Sequence, residues 1–184
     1  AARNASVKLL TMTMQLDGGT PEAREDADVA ARLAKEFHFE HVCVRCTEEE
    51  YVGALEDAAL AKDEPIYNRG LPAYLTMHRK AKELGQTAIA LTDYSNLFNA
   101  IHFYNAAKAE GINPILGVDV FFCEDAEQLR LQKIRQVSHL ILIAENDVGW
   151  KNITRIVSAA NNEVNYFYNP RVDFKLLEKH KEGV

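Results

Sequence analysis

The sequence is short of several things at once. It has three cysteines, too few and odd in number for a disulfide framework. The first residues also lack the charged and apolar segments of a signal peptide, so a reducing, cytoplasmic setting is expected. No apolar run approaches the roughly 20 residues that a membrane-spanning helix needs, so no such helix is expected. Basic side chains are outnumbered, 21 against 27 acidic, for a net charge of −6. A nucleic-acid binder normally carries a basic face, so direct nucleic-acid binding by this segment alone is not expected. Linkers, low-complexity tracts and internal repeats are absent as well. The chain starts Ala1-Ala2-Arg3 without a methionine and stops at Gly183-Val184 after a charged helix-like run. It reads as a piece of something longer.

What is present is an ordinary globular composition, 184 residues with 47% hydrophobic and 26% charged side chains. A chain this long can bury about 70% of its unfolded surface without staples. Strand-like and helix-like segments alternate. Residues 7–16 form a strand pattern that stops at Asp17-Gly18-Gly19, and Thr20-Pro21 reads as an N-cap followed by a first-turn proline. Ala23, Ala27, Ala30, Ala31 and Ala34 then recur at helical spacing, a small-residue face for packing on a sheet. Residues 41–46 form a short strand, and Thr47 with Glu50 makes a capping box for a helix to about Ala61. Ala73, Met77, Ala81 and Leu84 form a stripe ending at Gly85, and the apolar run at residues 87–92 predicts a strand covered on both faces. Ala100, Phe103, Tyr104 and Ala107 make the next helical face, closed by Gly111. Residues 114–122 and 139–144 supply two more strands. Asp147 is expected to cap a helix whose face is Trp150, Ile153, Val157 and Ala160, with Trp150 in the core. The fold class is α/β: a mostly parallel sheet or incomplete barrel built from βαβ units, with helices packed outside.

Active sites in parallel sheets gather at the carboxyl ends of strands. Asp93 follows one predicted strand, Asp119 lies in the next and His139 opens the third. Two aspartates and a histidine on separate strands could converge on a metal. Equally, Asp93 could cap the following helix, with Asp119 a surface carboxylate and His139 a strand-edge histidine. The Cys43-Val-Arg-Cys46 pair has metal-like spacing, but only Cys123 remains to join it. Three apart in a strand, the two cysteines point to opposite faces. His38 and His41 flank a connection and read as solvated. Tyr166-Phe167-Tyr168 reads as a loop anchored by aromatic packing, since no basic groove accompanies it.

Several blocks are more specific. Ala-Lys-Glu-Leu-Gly at residues 81–85 is followed by Ala-Ile-Ala-Leu-Thr-Asp-Tyr-Ser-Asn-Leu-Phe at residues 88–98. Then come Pro-Ile-Leu-Gly-Val-Asp-Val from Pro114, His-Leu-Ile-Leu-Ile-Ala from His139, Gly-Trp-Lys-Asn-Ile from Gly149 and Asn-Pro-Arg-Val-Asp from Asn169. In that order they resemble the polymerase-and-histidinol-phosphatase (PHP) domain of bacterial DNA polymerase III alpha subunits, over about residues 70–184. The resemblance implies that Asp119 matches a ligand glutamate and His139 a ligand histidine. The family's Thr-Asp-His appears here as Thr92-Asp93-Tyr94, and a neutral phenol is a poor metal ligand. Asp93 remains a candidate for the second shell. The opening His-x-His motif of the family is not found in residues 1–70, and its C-terminal ligands would lie beyond residue 184. The resemblance therefore implies a degenerate, metal-poor domain with no catalytic or cofactor-binding residues. No cofactor is expected beyond weak residual zinc or manganese at Asp119 and His139. The implied role is structural and protein-binding, with a proofreading exonuclease among the replicase partners. The parent family polymerises DNA, but no activity is expected of this segment alone.

Residues 1–68 resemble a different family, the synthetase (ATP pyrophosphatase) domain of asparagine synthetases, through the strand at residues 7–16, the helix at 24–35, the strand at 41–47 and Asp-Glu-Pro at 63–65. The resulting division is residues 1–70, a βαβα segment without its pyrophosphate loop, and residues 71–184, a partial PHP domain. The two could also merge into one α/β domain. The alternative function is therefore a fragment of an ATP-dependent amidotransferase, or a chimera of both families, natural or made, joined between residues 68 and 88. The Ser-Gly-Gly-x-Asp-Ser loop that would bind pyrophosphate is missing. Titration with ATP is accordingly expected to give no saturable binding; a stoichiometric complex would revive the synthetase alternative.

Overall fold

The computed structural model describes residues 10–62 and 71–184, and the chain divides into two compact units, residues 1–87 and 88–184. Residues 7–9 of the expected first strand and the Asp-Glu-Pro block at 63–65 lie outside the described residues.

In the first unit, β1 (Leu10–Leu16) and β2 (Glu40–Cys46) pair in parallel, in register from Leu10 opposite Glu40 to Leu16 opposite Cys46. Helix α1 (Pro21–Glu36) joins them and buries Ala27 and Ala34, while Ala31 faces solvent. Cys43 is exposed and Cys46 buried, both as free thiols, as strand alternation requires. Thr47 and Glu50 close the capping box: the Glu50 amide donates to Thr47 Oγ1 at 3.1 Å and the Thr47 amide to Glu50 Oε2 at 2.8 Å. Helix α2 (Glu48–Lys62) follows, then α3 (Leu71–Glu83), which ends at Gly85 with φ +73°. The buried face of α3 is Leu75, His78 and Ala81, whereas Leu84 is exposed. The expected stripe through Ala73, Met77 and Leu84 is thus rotated, because α3 packs against α2 and the β1–β2 sheet together.

The second unit contains β3 (Ala88–Tyr94), α4 (Ala100–Ala109), β4 (Asn113–Phe122), α5 (Ala126–Leu131) and β5 (Ser138–Ile143). These are followed by α6 (Asp147–Ala160), β6 (Tyr166–Phe167), β7 (Asn169–Val172) and α7 (Phe174–Lys179). Strand β4 pairs with β3 and β7 in parallel and with β5 antiparallel, so the sheet is mixed rather than mostly parallel. The reason is the length of the connection. Phe122 lies opposite Ser138, and the six-residue α5 spans only about 9 Å, too little to carry the chain back along the 10-residue β4. Strand β3 is not covered on both faces: Ala90 and Tyr94 are exposed and no β3 residue is fully buried.

The core of this unit joins Val118 and Val120 of β4, Leu142 of β5 and Val172 of β7 to Ile153, Ile156 and Ala160 of α6. Each large aliphatic side chain so buried contributes about 1.5–3 kcal/mol. Helix α6 is capped by Asn146, not Asp147; Asn146 Oδ1 accepts from the amides of Val148 and Gly149 at 2.9 and 3.0 Å. Its extended backbone suits the cap, and Asp147 becomes the first helical residue. Trp150 is half-buried, outside the core cluster. The C-terminal residues close on the same helix. The Gly183 carbonyl accepts from the Glu145 amide at 2.8 Å, and Asn152 Nδ2 donates to the Glu182 carbonyl at 2.9 Å. A Cβ at Gly149 would overlap the Gly183 backbone. Gly149→Ala should therefore cost about 1–3 kcal/mol, read as a lower urea midpoint; an unchanged midpoint would mean that the tail does not dock on α6.

Candidate functional site

Strand alternation and register assemble the site. Tyr94 lies opposite Asp119, and His139 opposite Phe121, which is two residues beyond Asp119. All four side chains share the sheet face opposite that of the core residues Val118 and Val120. On that face His139 Nδ1 lies 2.9 Å from Asp119 Oδ1. The His139 ring meets Tyr94 edge-on at a centroid distance of 5.5 Å, and Phe121 at 5.0 Å. Asp119 is shielded, its side chain 15% exposed, whereas His139 is 50% exposed. Beyond Tyr94 the chain turns through Ser95, whose φ is +49°, and the Ser95 amide still donates to the Asp119 carbonyl at 2.7 Å.

The three metal candidates from the sequence are placed differently. Asp119 and His139 come together, but as partners of each other. Asp93 precedes Tyr94 in the strand and so points to the opposite face, opposite Val118. There its Oδ2 accepts from Asn99 Nδ2 at 3.0 Å, next to the start of α4. Among the described residues no three His, Cys, Asp or Glu side chains are grouped to hold a metal ion. The donor set also fits a resident metal poorly. An ionised carboxylate only accepts, so the Asp119 contact requires the proton on His139 Nδ1 and leaves Nε2 as one free donor atom. That is the arrangement of an oriented imidazole with an outer-sphere carboxylate, one ligand where a catalytic site needs about three.

Other groups around this unit are engaged structurally. Asp173 Oδ1 accepts from the Leu176 amide at 2.9 Å and Oδ2 from the Ala126 amide at 3.2 Å, capping α7 and meeting the start of α5. Asp125, the N-cap of α5, is bonded by Lys175 Nζ at 2.7 Å; that bond holds its carboxyl below the ordinary range and raises the Lys175 ammonium. Burial pushes the Cys123 thiol up, against the lowering pull of Arg171. Burial likewise lowers His180, helped by Lys179 and Arg155. Arg171 is fully buried: Nη2 donates to the Ile134 carbonyl at 2.6 Å, and the guanidinium lies 5.1 Å from the Phe167 ring centroid. Sequence reasoning passed over Arg171 and Phe121, since neither burial nor strand register is visible in a single chain.

Comparison with known proteins bears on this face. The PHP domain family model matches residues 70–184. The DNA polymerase III subunit alpha of Aquifex aeolicus (strain VF5) is 41% identical over 113 residues, covering 58% of this chain and 10% of the relative. The same subunit of Borreliella burgdorferi is 42% identical over 107 residues, covering 57% of the chain and 9% of the relative. That of Treponema pallidum (strain Nichols) is 42% identical over 108 residues, with shares of 58% and 9%. The chain thus spans about a tenth of the length of these relatives. Nothing in these matches supports the synthetase resemblance of residues 1–68.

The Asp119–His139 bond has a direct spectroscopic consequence. In neutral His139, nitrogen-resolved NMR should find the proton on Nδ1, and Asp119→Ala should return the ring to a mixture dominated by the Nε2–H form. Identical spectra for the two proteins would dissolve the pair.

Proposed function

Residues 70–184 make this chain a member of the PHP domain family, and on that premise we propose that it is a segment of a replicative DNA polymerase III alpha-type subunit, serving as a structural and protein-binding module without catalysis of its own. The observation that carries the reading is the face of Tyr94, Asp119 and His139. A phenol stands where the family has a ligand histidine, and the two family ligand positions matched within residues 70–184, Asp119 and His139, are bonded to each other at 2.9 Å. Water activation by a metal cluster needs more donors than this face offers.

In this reading the second unit is part of an incomplete barrel whose inner face is that of Asp119, with α4 and α6 packed outside. Metal binding there is weak and confined to His139 Nε2, with Asp119 as its outer partner and Asp93 outside the inner set. The partners are other replicase subunits, a proofreading exonuclease among them, in the cytoplasm. No helix of the described residues is long and apolar enough to cross a membrane. Nucleotidyl transfer belongs to the parent polymerase, and the net charge of −6 disfavours DNA binding by this segment itself.

Zinc or manganese titration with a phosphoesterase assay tests the main reading. Expected are binding weaker than about 1 µM and no turnover; tight stoichiometric metal with turnover sinks it. Tyr94→His places a second imidazole beside His139 and should strengthen zinc binding by at least about tenfold, or 1.4 kcal/mol, in calorimetry.

A further inference from the structure

On the helix side of the second unit, α4 and the first turns of α6 part over the beginning of β4 and leave a trough of about 760 Å³. Its floor is Pro114 and Leu116 of β4 with Ala144 after β5, and its walls carry Ile101 and Tyr104 of α4 and Trp150 of α6. Leu116 shares the face of Val118 by alternation, so the floor continues the core surface that α6 covers further along the strand. Here no other element of the second unit covers it, and Ile101 and Tyr104 are 66% and 43% exposed. Such a concave apolar surface with aromatic walls is the form of a binding groove.

The rim has one sign. Glu145 and Asp147 line the mouth, both are exposed, and neither side chain is ion-paired among the described residues. Asp147 gains from the α6 N-terminus, whereas Glu145 precedes the cap and has no such support. Lys108 lies 5.6 Å from the Tyr104 ring centroid on the flank of α4. Acidic rims disfavour phosphate-bearing ligands and steer cationic ones. The volume also exceeds what one side chain fills, leaving room for backbone on either side of an anchor.

We propose that this trough docks a short segment of a partner protein, with one bulky aliphatic or aromatic anchor flanked by lysine or arginine. The anchor would lie on Leu116 between Tyr104 and Trp150, and the basic flanks would meet Glu145 and Asp147. This deepens the protein-binding reading above and rests on it.

The test uses the full chain, whose one tryptophan is Trp150, so its emission reports the trough directly. The probe is a blocked peptide with a central leucine between lysines and arginines; controls replace the basic residues by glutamate or the leucine by serine. Expected is a saturable emission change with a Kd of about 10–100 µM, at least about tenfold weaker for either control and for Ile101→Arg, and weakening with salt. Ile101 is exposed, so this variant should melt like the parent; Glu145→Lys is the second variant, expected to weaken the basic peptide and favour the glutamate control. The absence of any saturable change overturns the proposal, as does equal binding of the glutamate peptide. A dimer by sedimentation that Ile101→Arg disperses would give the trough to a second copy and overturn it too. A purified proofreading exonuclease that binds the parent and Ile101→Arg alike leaves the module reading standing and removes the trough from it.

Discussion

A strand has two edges, and β4 has three partners. Strands β3 and β5 both pair at residues 117–119 and therefore lie on opposite edges; β5 and β7 both pair at residues 121–122 and do the same. Strands β3 and β7 must then share one edge in succession. Pairing with β3 ends where Tyr94 meets Asp119, and pairing with β7 begins where Arg171 meets Phe121. The left-handed backbone at Ser95 takes the chain off the sheet at that point. Asp119 is thus the last residue paired with β3, next to the handover at Val120, and His139 reaches it from the opposite side. A gap at the carboxyl end of a parallel strand is where α/β proteins place their functional groups, and the candidate site follows from this edge arithmetic.

The blocks that carry the family resemblance sort into two kinds once their contacts are known. Gly149 and Gly183 let two backbones touch, Asn152 ties the tail to α6, and Asp173 meets two helix starts with one carboxylate. Arg171 is held in the interior through the Ile134 carbonyl. Buried charges cost several kcal/mol each unless bonded; both Asp173 oxygens are bonded, whereas Arg171 is met by the Ile134 carbonyl through Nη2 and by the Phe167 ring. These residues are scaffold. Tyr94, Asp119 and His139 are the residues that face the handover. The scaffold group is tied into the sheet, although Arg171 keeps only its Nη2 bond and its Nε and Nη1 are buried without a hydrogen-bond partner.

Local chemistry was legible in the sequence wherever it acts over a few residues. The Thr47–Glu50 box and the C-terminal glycines Gly85 and Gly111, with φ of +73° and +72°, stand where spacing placed them. Strand direction was not legible, because an apolar run reads the same either way; only the shortness of α5 reveals that β5 returns antiparallel. The face of α3 was misjudged because two neighbouring surfaces bury it rather than one. Asn146 took the cap from Asp147 because backbone conformation, not residue type, decides between adjacent candidates. For the site, residue types were readable but pairing was not. Asp93 and Asp119 look equivalent in the sequence, yet alternation and register send one to the start of α4 and the other to His139.

The Asp119–His139 bond also sets a cost on direct coordination of one ion by both side chains. For both side chains to bind one ion directly, their mutual hydrogen bond must first break. A bond to a charged group is worth about 1.5–3 kcal/mol, which subtracts about one to two powers of ten from the affinity of that two-ligand mode. With a histidine in place of Tyr94, a third ligand could have offset that loss; a phenol cannot. In the structure each of the two side chains is already satisfied by the other. Coordination through His139 Nε2 alone leaves that bond in place, and the pair ties β4 to β5 across the face of Tyr94.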